Sequence, residues 1–266
     1  MKTRIFSAII MLLIAIPLLI IGSLPFALLA SILAVIGLHE LLHMRESKKS
    51  FPFLLKVFAY IMVLFFCLGN YQAVSLSYEL DYKVMSFLIF AFLLPMVFIN
   101  DNKKYNLNDA LFLISSTLFI GLSFNLIVLI RNYDLNYVIY LLLITIFTDT
   151  FALLTGKYIG KNKLAEKISP KKTIEGLIGG VLMGTFIASM YYYNVISYDV
   201  SLLNIIVVTL FLSVISQLGD LVFSAIKRYY NKKDFSNLIP GHGGVLDRFD
   251  SIIFTILAFI LCLSWI

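Results

Sequence analysis

The chain has 266 residues, of which 61% are hydrophobic and only 14% are charged, and its formal net charge is +6 at pH 7. A soluble globular domain carries about 45–50% apolar and about 25% charged residues, so this composition excludes a soluble globular protein. It also excludes an intrinsically disordered chain, because disordered chains have few apolar residues and many uncompensated charges.

Nine apolar runs are long enough to cross a bilayer, whose hydrocarbon core requires about 17–25 residues of helix. In chain order the runs span residues 5–22, 24–43, 52–69, 84–100, 110–130, 137–155, 176–194, 202–226 and 249–266. The sequence therefore predicts an all-α protein, a polytopic bundle of about nine transmembrane helices. Two runs contain an ionisable residue, Asp149 in the sixth and Asp220 in the eighth.

The basic residues predict the orientation of these helices, because Lys and Arg in short loops stay on the cytoplasmic side. If the N-terminus is cytoplasmic, only Lys83 and Arg131 fall in loops on the opposite side, and Lys56 lies inside the third run near its cytoplasmic end. We therefore expect a cytoplasmic N-terminus and a C-terminus outside.

The two halves of the chain differ in composition. Most of the 14 glycines lie between residues 156 and 244, together with the two most basic loops, 156–175 and 227–248. Glycine lets backbone approach a ligand closely, and neighbouring cations favour a phosphate-rich ligand. We expect residues 1–136 to form a transmembrane scaffold and residues 137–266 to form the catalytic region.

The most informative stretch begins inside the eighth run. Asp220, Ser224, Lys227 and Arg228 lie on one helix face over two turns. An ionisable residue within a span faces protein or a water-filled cavity and is a candidate site residue. The turn at 240–244 has little side-chain bulk, so its backbone N–H groups are candidates for an anion-binding nest, although many such turns are only turns.

Two further aspartates, Asp247 and Asp250, stand at the start of the ninth run, with Arg248 between them. Carboxylates at a helix N-terminus are favourable caps, which is one interpretation. The other is that Asp247 and Asp220 together hold Mg²⁺, a hard cation that takes carboxylate and phosphate oxygens. Carboxylates beside basic loops suit phosphoryl-type transfer, in which catalysis is positioning and charge neutralisation.

Residues 224–250, SAIKRYYNKKDFSNLIPGHGGVLDRFD, resemble the signature of the phosphatidate cytidylyltransferases, also called CDP-diacylglycerol synthases. The matching positions are Ser224, Lys227-Arg228, Lys233-Asp234, Pro240, His242-Gly243-Gly244, Asp247-Arg248 and Asp250. A second stretch, from Asp149 to Gly176, is similar to the family's other motif, but Leu153 follows Ala152 where the family usually has tyrosine. The resemblance covers about residues 145–266.

The resemblance implies an enzyme that joins CTP to phosphatidate, giving CDP-diacylglycerol and pyrophosphate for phospholipid biosynthesis. It implies that Asp220 and Asp247 ligate Mg²⁺, with Ser224 as a further candidate ligand and a second metal, monovalent or divalent, as an option. It implies catalytic or substrate-binding roles for Lys171, Lys172, Lys227, Arg228, Lys233, His242, Gly243, Gly244 and Arg248. Asp149, Glu175, Asp234 and Asp250 are expected instead to hold loops and basic partners.

The implied partners are CTP, phosphatidate in the cytoplasmic leaflet and the lipid bilayer, with no nucleic acid. The implied location is the cell membrane, as an integral protein with its active site facing the cytoplasm. The sequence leaves the oligomeric state open, with a homodimer as one option.

Three alternatives remain at this point. The motifs are expected to bind headgroup phosphates rather than acyl chains, so one alternative is a cytidylyltransferase that acts on another lipid phosphate. His39, Glu40 and His43 match the H-E-x-x-H zinc signature of metalloproteases, although they lie at a helix end where polar residues are ordinary. Asp149 and Asp220 would suit an ion-coupled transporter, but we find no inverted repeat.

Overall fold

The structure is a computed structural model that describes residues 2–69, 71–73 and 82–266, with only the backbone described for residues 2–5. The described part is mostly helical and divides into two compact units. The first unit comprises Met1–Tyr133 and Phe235–Val245, and the second comprises Asp134–Asp234 and Leu246–Ile266.

The helices of the first unit are α1 (Lys2–Ile21), α2 (Ser23–Glu46), α3 (Phe53–Gly69), α4 (Tyr82–Leu93), α5 (Pro95–Ile99) and α6 (Leu107–Tyr133). Helices α2, α3 and α6 pack against one another. The predicted fourth run is interrupted at Pro95, which has no backbone N–H to continue a helix.

Charged side chains tie the ends of these helices together. The Arg131 guanidinium donates hydrogen bonds to the carbonyls of Leu19, at 2.8 Å, and Ile20, at 2.6 Å, which satisfies acceptors at the end of α1. The Asp109 carboxylate is 1% exposed and is paired with Arg45, at 2.8 Å, and with Lys49. Both contacts join α6 to other parts of the first unit.

The helices of the second unit are α7 (Leu135–Tyr158), α8 (Ile174–Tyr191), α9 (Leu202–Tyr229) and α10 (Leu246–Cys262). A π-helical turn, Tyr192–Ile196, extends α8, and a 3-10 turn, Leu263–Trp265, follows α10. Two polar side chains cap helix starts, because Asp134 accepts a hydrogen bond from the Asn136 N–H and Thr173 accepts one from the Gly176 N–H.

The loop between α7 and α8 contains a small antiparallel hairpin that the sequence does not predict. Strand β1 (Lys163–Ala165) pairs with β2 (Ser169–Thr173), with Lys163 opposite Thr173. The Glu175 side chain accepts hydrogen bonds from the backbone N–H groups of Lys161 and Asn162, so it holds the loop as expected. Such short strands have too few residues to show an alternating pattern.

In the described part of the chain, six helices are long and apolar enough to cross a membrane. They are Ser23–Glu46, Tyr82–Ile99, Leu107–Tyr133, Leu135–Tyr158, Ile174–Ile196 and Leu202–Tyr229. Phe6–Ile21 and Phe53–Gly69 are shorter apolar helices. The protein is therefore a mainly helical integral membrane protein, and each of the nine predicted runs coincides with helical segments.

Glycine allows α7 and α8 to pack closely. A Cβ atom added at Gly180 would lie 2.5 Å from the carbonyl oxygen of Thr148 and 2.8 Å from the Cβ of Ala152. Because a backbone carbonyl cannot rotate away as a side chain can, this contact requires a residue without a side chain.

Replacing Gly180 by alanine is therefore expected to lower the free energy of unfolding by about 1–3 kcal/mol, the usual cost of overpacking. Denaturant titration in mixed micelles would measure this change. Gly69→Ala is the matched control, because no described residue has an atom within 4 Å of a Cβ atom at that position. Equal unfolding free energies for the two variants would contradict the close contact.

Candidate active site

The predicted helix face in the eighth run is confirmed. Asp220 and Ser224 lie one turn apart on α9, and the Ser224 hydroxyl donates a hydrogen bond to the Asp220 carboxylate at 3.3 Å. The Asp220 side chain is 27% exposed, so it is accessible although it lies within a candidate membrane span. Accessible carboxylates within spans belong to functional cavities more often than to packing.

A lysine from the hairpin contacts the same carboxylate. Lys172, on β2, places its Nζ atom 2.8 Å from Asp220 Oδ2 and 3.2 Å from the backbone carbonyl oxygen of Gln217. Lys172 and Asp220 are both candidate site residues, and the structure brings them together as an ion pair. The hairpin thus places the Lys172 ammonium group beside the Asp220 carboxylate on α9.

A second ion pair joins the end of α9 to the start of α10. The Nζ atom of Lys227 lies 2.7 Å from Asp247 Oδ1, and the two side chains are only 9% and 3% exposed. The family resemblance assigns Lys227 to substrate phosphate and Asp247 to a metal ion. The structure pairs these two residues with each other, a contact that the sequence does not predict.

Two aspartates that are expected from the sequence to position loops lie near Asp220. The Ser251 hydroxyl donates to Asp149 at 3.2 Å, and Asp149, Asp220 and Asp250 are close enough to interact electrostatically. Asp149 has an exposed side chain within α7. The position of Asp149 inside an apolar run is the feature of the sequence that indicates a site role. An ionisable residue within a membrane span is energetically costly and usually marks a functional site.

The second unit contains four further basic candidates, Lys171, Arg228, Lys233 and Arg248. Arg228 donates hydrogen bonds to the backbone carbonyls of Ile168, at 3.3 Å, and Lys232, at 2.8 Å, and so connects the end of α9 to the hairpin. Lys171, Lys233 and Arg248 are exposed. Exposed cations of this kind are accessible to an anionic ligand.

The glycine-rich turn belongs to the first unit. Ser7 donates a hydrogen bond to the Pro240 carbonyl at 3.2 Å, and its hydroxyl lies 2.9 Å from Nδ1 of His242. The backbone N–H groups of His242 and Gly243 both donate to the Ile239 carbonyl. These two amides are used inside the turn, so they favour the plain-turn interpretation over the candidate anion-binding nest at both positions.

Two glycines of this turn have backbone conformations that favour glycine. Gly241 has φ 78° and Gly243 has φ 86°. Both values lie in the left-handed region that other L-residues rarely adopt. The structure therefore gives Gly243 a conformational part in the turn.

The H-E-x-x-H residues do not form a zinc site. The rings of His39 and His43 stack with their centroids 6.0 Å apart, and His39 Nδ1 lies 2.9 Å from the Tyr60 hydroxyl. Both histidines are exposed, whereas Glu40 is 2% exposed and turned into the first unit. Among the described residues, no group of three or more His, Cys, Asp or Glu is arranged to hold a metal ion.

The donor set at the acidic cluster nevertheless fits Mg²⁺ in its chemistry. Carboxylate and hydroxyl oxygens are hard donors, and Mg²⁺ commonly takes only one or two protein carboxylates and completes its shell with water and substrate phosphates. Asp220, with its neighbour Ser224, supplies such donors at an accessible position. A cage of protein ligands is therefore not required.

Comparison with known proteins identifies the family. The model of the cytidylyltransferase family matches residues 2–266. The chain belongs to the cytidylyltransferase family. It is 35% identical over 257 residues to the phosphatidate cytidylyltransferase of Staphylococcus haemolyticus, with 96% of each chain covered. It is 35% identical over 260 residues to that of Bacillus subtilis, with 96% of this chain and 94% of the relative covered.

A third relative, the phosphatidate cytidylyltransferase of Staphylococcus aureus, is 36% identical over 258 residues, with 96% of each chain covered. These matches confirm the resemblance found in residues 145–266 and extend it over the first half of the chain. This cytidylyltransferase is an enzyme, a nucleotidyltransferase, and the metalloprotease and transporter alternatives are set aside.

Proposed function

We propose that this cytidylyltransferase transfers the cytidylyl group of CTP to phosphatidate, giving CDP-diacylglycerol and pyrophosphate for phospholipid biosynthesis. The relatives that bear the name phosphatidate cytidylyltransferase match 96% of the chain. The structural observation that carries the proposal is the cluster in the second unit, where Asp149, Asp220 and Asp250 lie near the ammonium groups of Lys172 and Lys227.

In the proposed reaction an oxygen of the phosphatidate phosphate attacks the α-phosphorus of CTP. A new P–O bond forms to the lipid phosphate, and the bond from the α-phosphorus to the bridging oxygen breaks. Pyrophosphate leaves with the electron pair of that bond. A phosphate monoester has a second pKa of about 6, so it is largely dianionic near neutral pH and requires no general base.

The residues of this chain act by positioning and by neutralising charge, which is the main protein contribution to phosphoryl-type transfer. Exposed Lys171, Lys233 and Arg248 attract the triphosphate and the lipid phosphate. Arg228 and Lys172 add positive charge beside the hairpin. His242 is proposed to contact phosphate.

Mg²⁺ is the proposed cofactor, and a second, monovalent metal is compatible with the same cluster. Asp220 and Asp247 would hold Mg²⁺, with Ser224 as a further ligand, and the nearby Asp149 and Asp250 add negative charge that attracts cations. When bound, the metal would neutralise charge on the phosphate oxygens of CTP.

The proposed topology has nine membrane crossings, with the N-terminus in the cytoplasm and the C-terminus outside. The proposed location is the cell membrane, which is the inner membrane in a cell that has two. Lys and Arg of the loops at 156–175 and 227–248 support it, because basic loops stay in the cytoplasm. The active site would then face the cytoplasm, where CTP is made, and a homodimer is compatible with this arrangement. An external location for a reporter fused within 156–175 would overturn this topology.

The test of the function uses purified enzyme with phosphatidate, Mg²⁺ and CTP labelled either at the α- or at the γ-phosphate. The α-label is expected in CDP-lipid, and the γ-label in pyrophosphate. A folded sample that forms neither product would overturn the proposal. A prenyl phosphate offered as the acceptor in parallel tests the alternative lipid phosphate, and a higher kcat/KM with it than with phosphatidate would overturn the choice of acceptor.

A further inference from the structure

We propose that Glu40 is a positioning residue, whose buried carboxylate holds the segment Phe235–Val245 in the shape that the reaction requires. We call this segment the turn segment, and it carries the candidate site residues His242, Gly243 and Gly244. The inference rests on the proposed function, because it assigns to Glu40 a role in that reaction through the turn segment.

The contacts of Glu40 reach both ends of the turn segment. Its Oε1 atom accepts a hydrogen bond from the Ser236 hydroxyl at 2.6 Å and another from the Val245 backbone N–H at 2.9 Å. Glu40 itself lies on α2, far away in sequence, and is 2% exposed. One carboxylate thus bridges the first and last parts of the segment.

Gly244 packs directly on this carboxylate. A Cβ atom added at Gly244 would collide with Oε1, Cδ and Oε2 of Glu40. Unlike Gly241 and Gly243, Gly244 does not have a positive φ, so its backbone would accept alanine. The space taken by Glu40 is therefore the reason that this position needs glycine.

Burying a carboxylate is costly unless hydrogen bonds replace its lost hydration, so these contacts are energetically required. A hydrogen bond to a charged group is roughly twice as strong as one between neutral groups. Val245 is followed immediately by Leu246, where α10 begins, and then by Asp247. Glu40 therefore holds the last residue before α10 begins.

This role separates Glu40 from its neighbours in the H-E-x-x-H motif. His39 and His43 are exposed and stack on each other, and His39 also contacts Tyr60, whereas Glu40 is turned to the turn segment. Losing Glu40 should therefore affect the reaction, and losing both histidines should not. Glu40 touches no reacting group in this assignment and acts only through the segment.

The test compares Glu40→Ala and Glu40→Gln with the wild-type enzyme in kinetics and in hydrogen–deuterium exchange. We expect Glu40→Ala to lower kcat by about 100-fold, the effect of a misplacement of about 1 Å in a catalytic group. We expect a smaller loss for Glu40→Gln, because the amide oxygen can still accept both hydrogen bonds. The Val245 amide should exchange about tenfold faster or more in Glu40→Ala.

Two control variants separate positioning from general destabilisation. The double variant His39→Ala, His43→Ala should keep wild-type kcat and exchange. Asp109→Asn changes another buried carboxylate of the first unit, one that is paired with Arg45 and Lys49 and not with the turn segment. It should lower the unfolding temperature without changing exchange at Val245, which shows that lower stability alone does not release the turn segment.

The contact with Gly244 provides a second measurement. Gly244→Ala should lower kcat in the wild-type background, but should add little in the Glu40→Ala background, where the clashing carboxylate is gone. Such non-additivity is typical of residues in contact. Fully multiplicative effects, or wild-type kcat and exchange in Glu40→Ala, would overturn the inference. A wild-type enzyme that forms no CDP-lipid would instead overturn the proposed function, while faster exchange at Val245 would still support the contact.

Discussion

Asp220→Asn is expected to lower turnover by about 10²–10³-fold, the loss seen when one group that stabilises transition-state charge is removed. The substitution keeps the size of the side chain and removes its charge. The amide oxygen can still accept the Ser224 hydrogen bond, and the side chain is 27% exposed, so the fold should persist. The effect therefore falls on cation binding, and the measurement is CDP-lipid formation across a Mg²⁺ titration.

The matched control is Asp199→Asn, which removes an exposed carboxylate elsewhere in the second unit and should leave turnover unchanged. Wild-type turnover in Asp220→Asn at every Mg²⁺ concentration would contradict the metal role. The substitution Lys172→Met tests whether Asp220 acts only as the partner of Lys172. If it does, Lys172→Met would cause the same loss of turnover as Asp220→Asn, and combining the two substitutions would cause no further loss.

Local geometry explains which parts of the site were predictable from sequence. The pair Asp220 and Ser224 follows from helix periodicity, because residues four apart share a face, and the structure confirms their contact. The helical segments follow from long apolar runs in the same way. Proline lacks a backbone N–H, so Pro95 indicates a break, but proline alone does not decide one, because Pro17 lies inside α1.

The contacts that the sequence does not predict are those between residues distant in the chain. Glu40 binds Val245 across 205 positions, and no periodicity connects the two. The H-E-x-x-H spacing instead indicates zinc chemistry. Asp149 is expected to hold a loop or a basic partner rather than a metal, because nothing in the sequence shows that α7 brings it near Asp220. Tertiary packing decides such contacts.

The Lys227–Asp247 ion pair, which the sequence does not predict, allows the stability of the fold and the catalytic activity to be tested separately. Each of its charges is nearly buried, so each is stabilised by the opposite charge of the other. Replacing one partner removes the ion pair from the other, which stays in a poorly hydrated place. Lys227→Met and Asp247→Leu alone are each expected to lower the free energy of unfolding by about 3–5 kcal/mol.

The double variant Lys227→Met, Asp247→Leu should recover most of that stability, because an apolar pair can replace a buried ion pair at little or no cost. It should not recover CDP-lipid formation, since both charges are proposed to act on the metal and the phosphates. Denaturant titration in mixed micelles and the CTP assay measure the two properties separately. If activity returned together with stability, the pair would be structural only, and Asp220 would remain as the proposed metal ligand without Asp247.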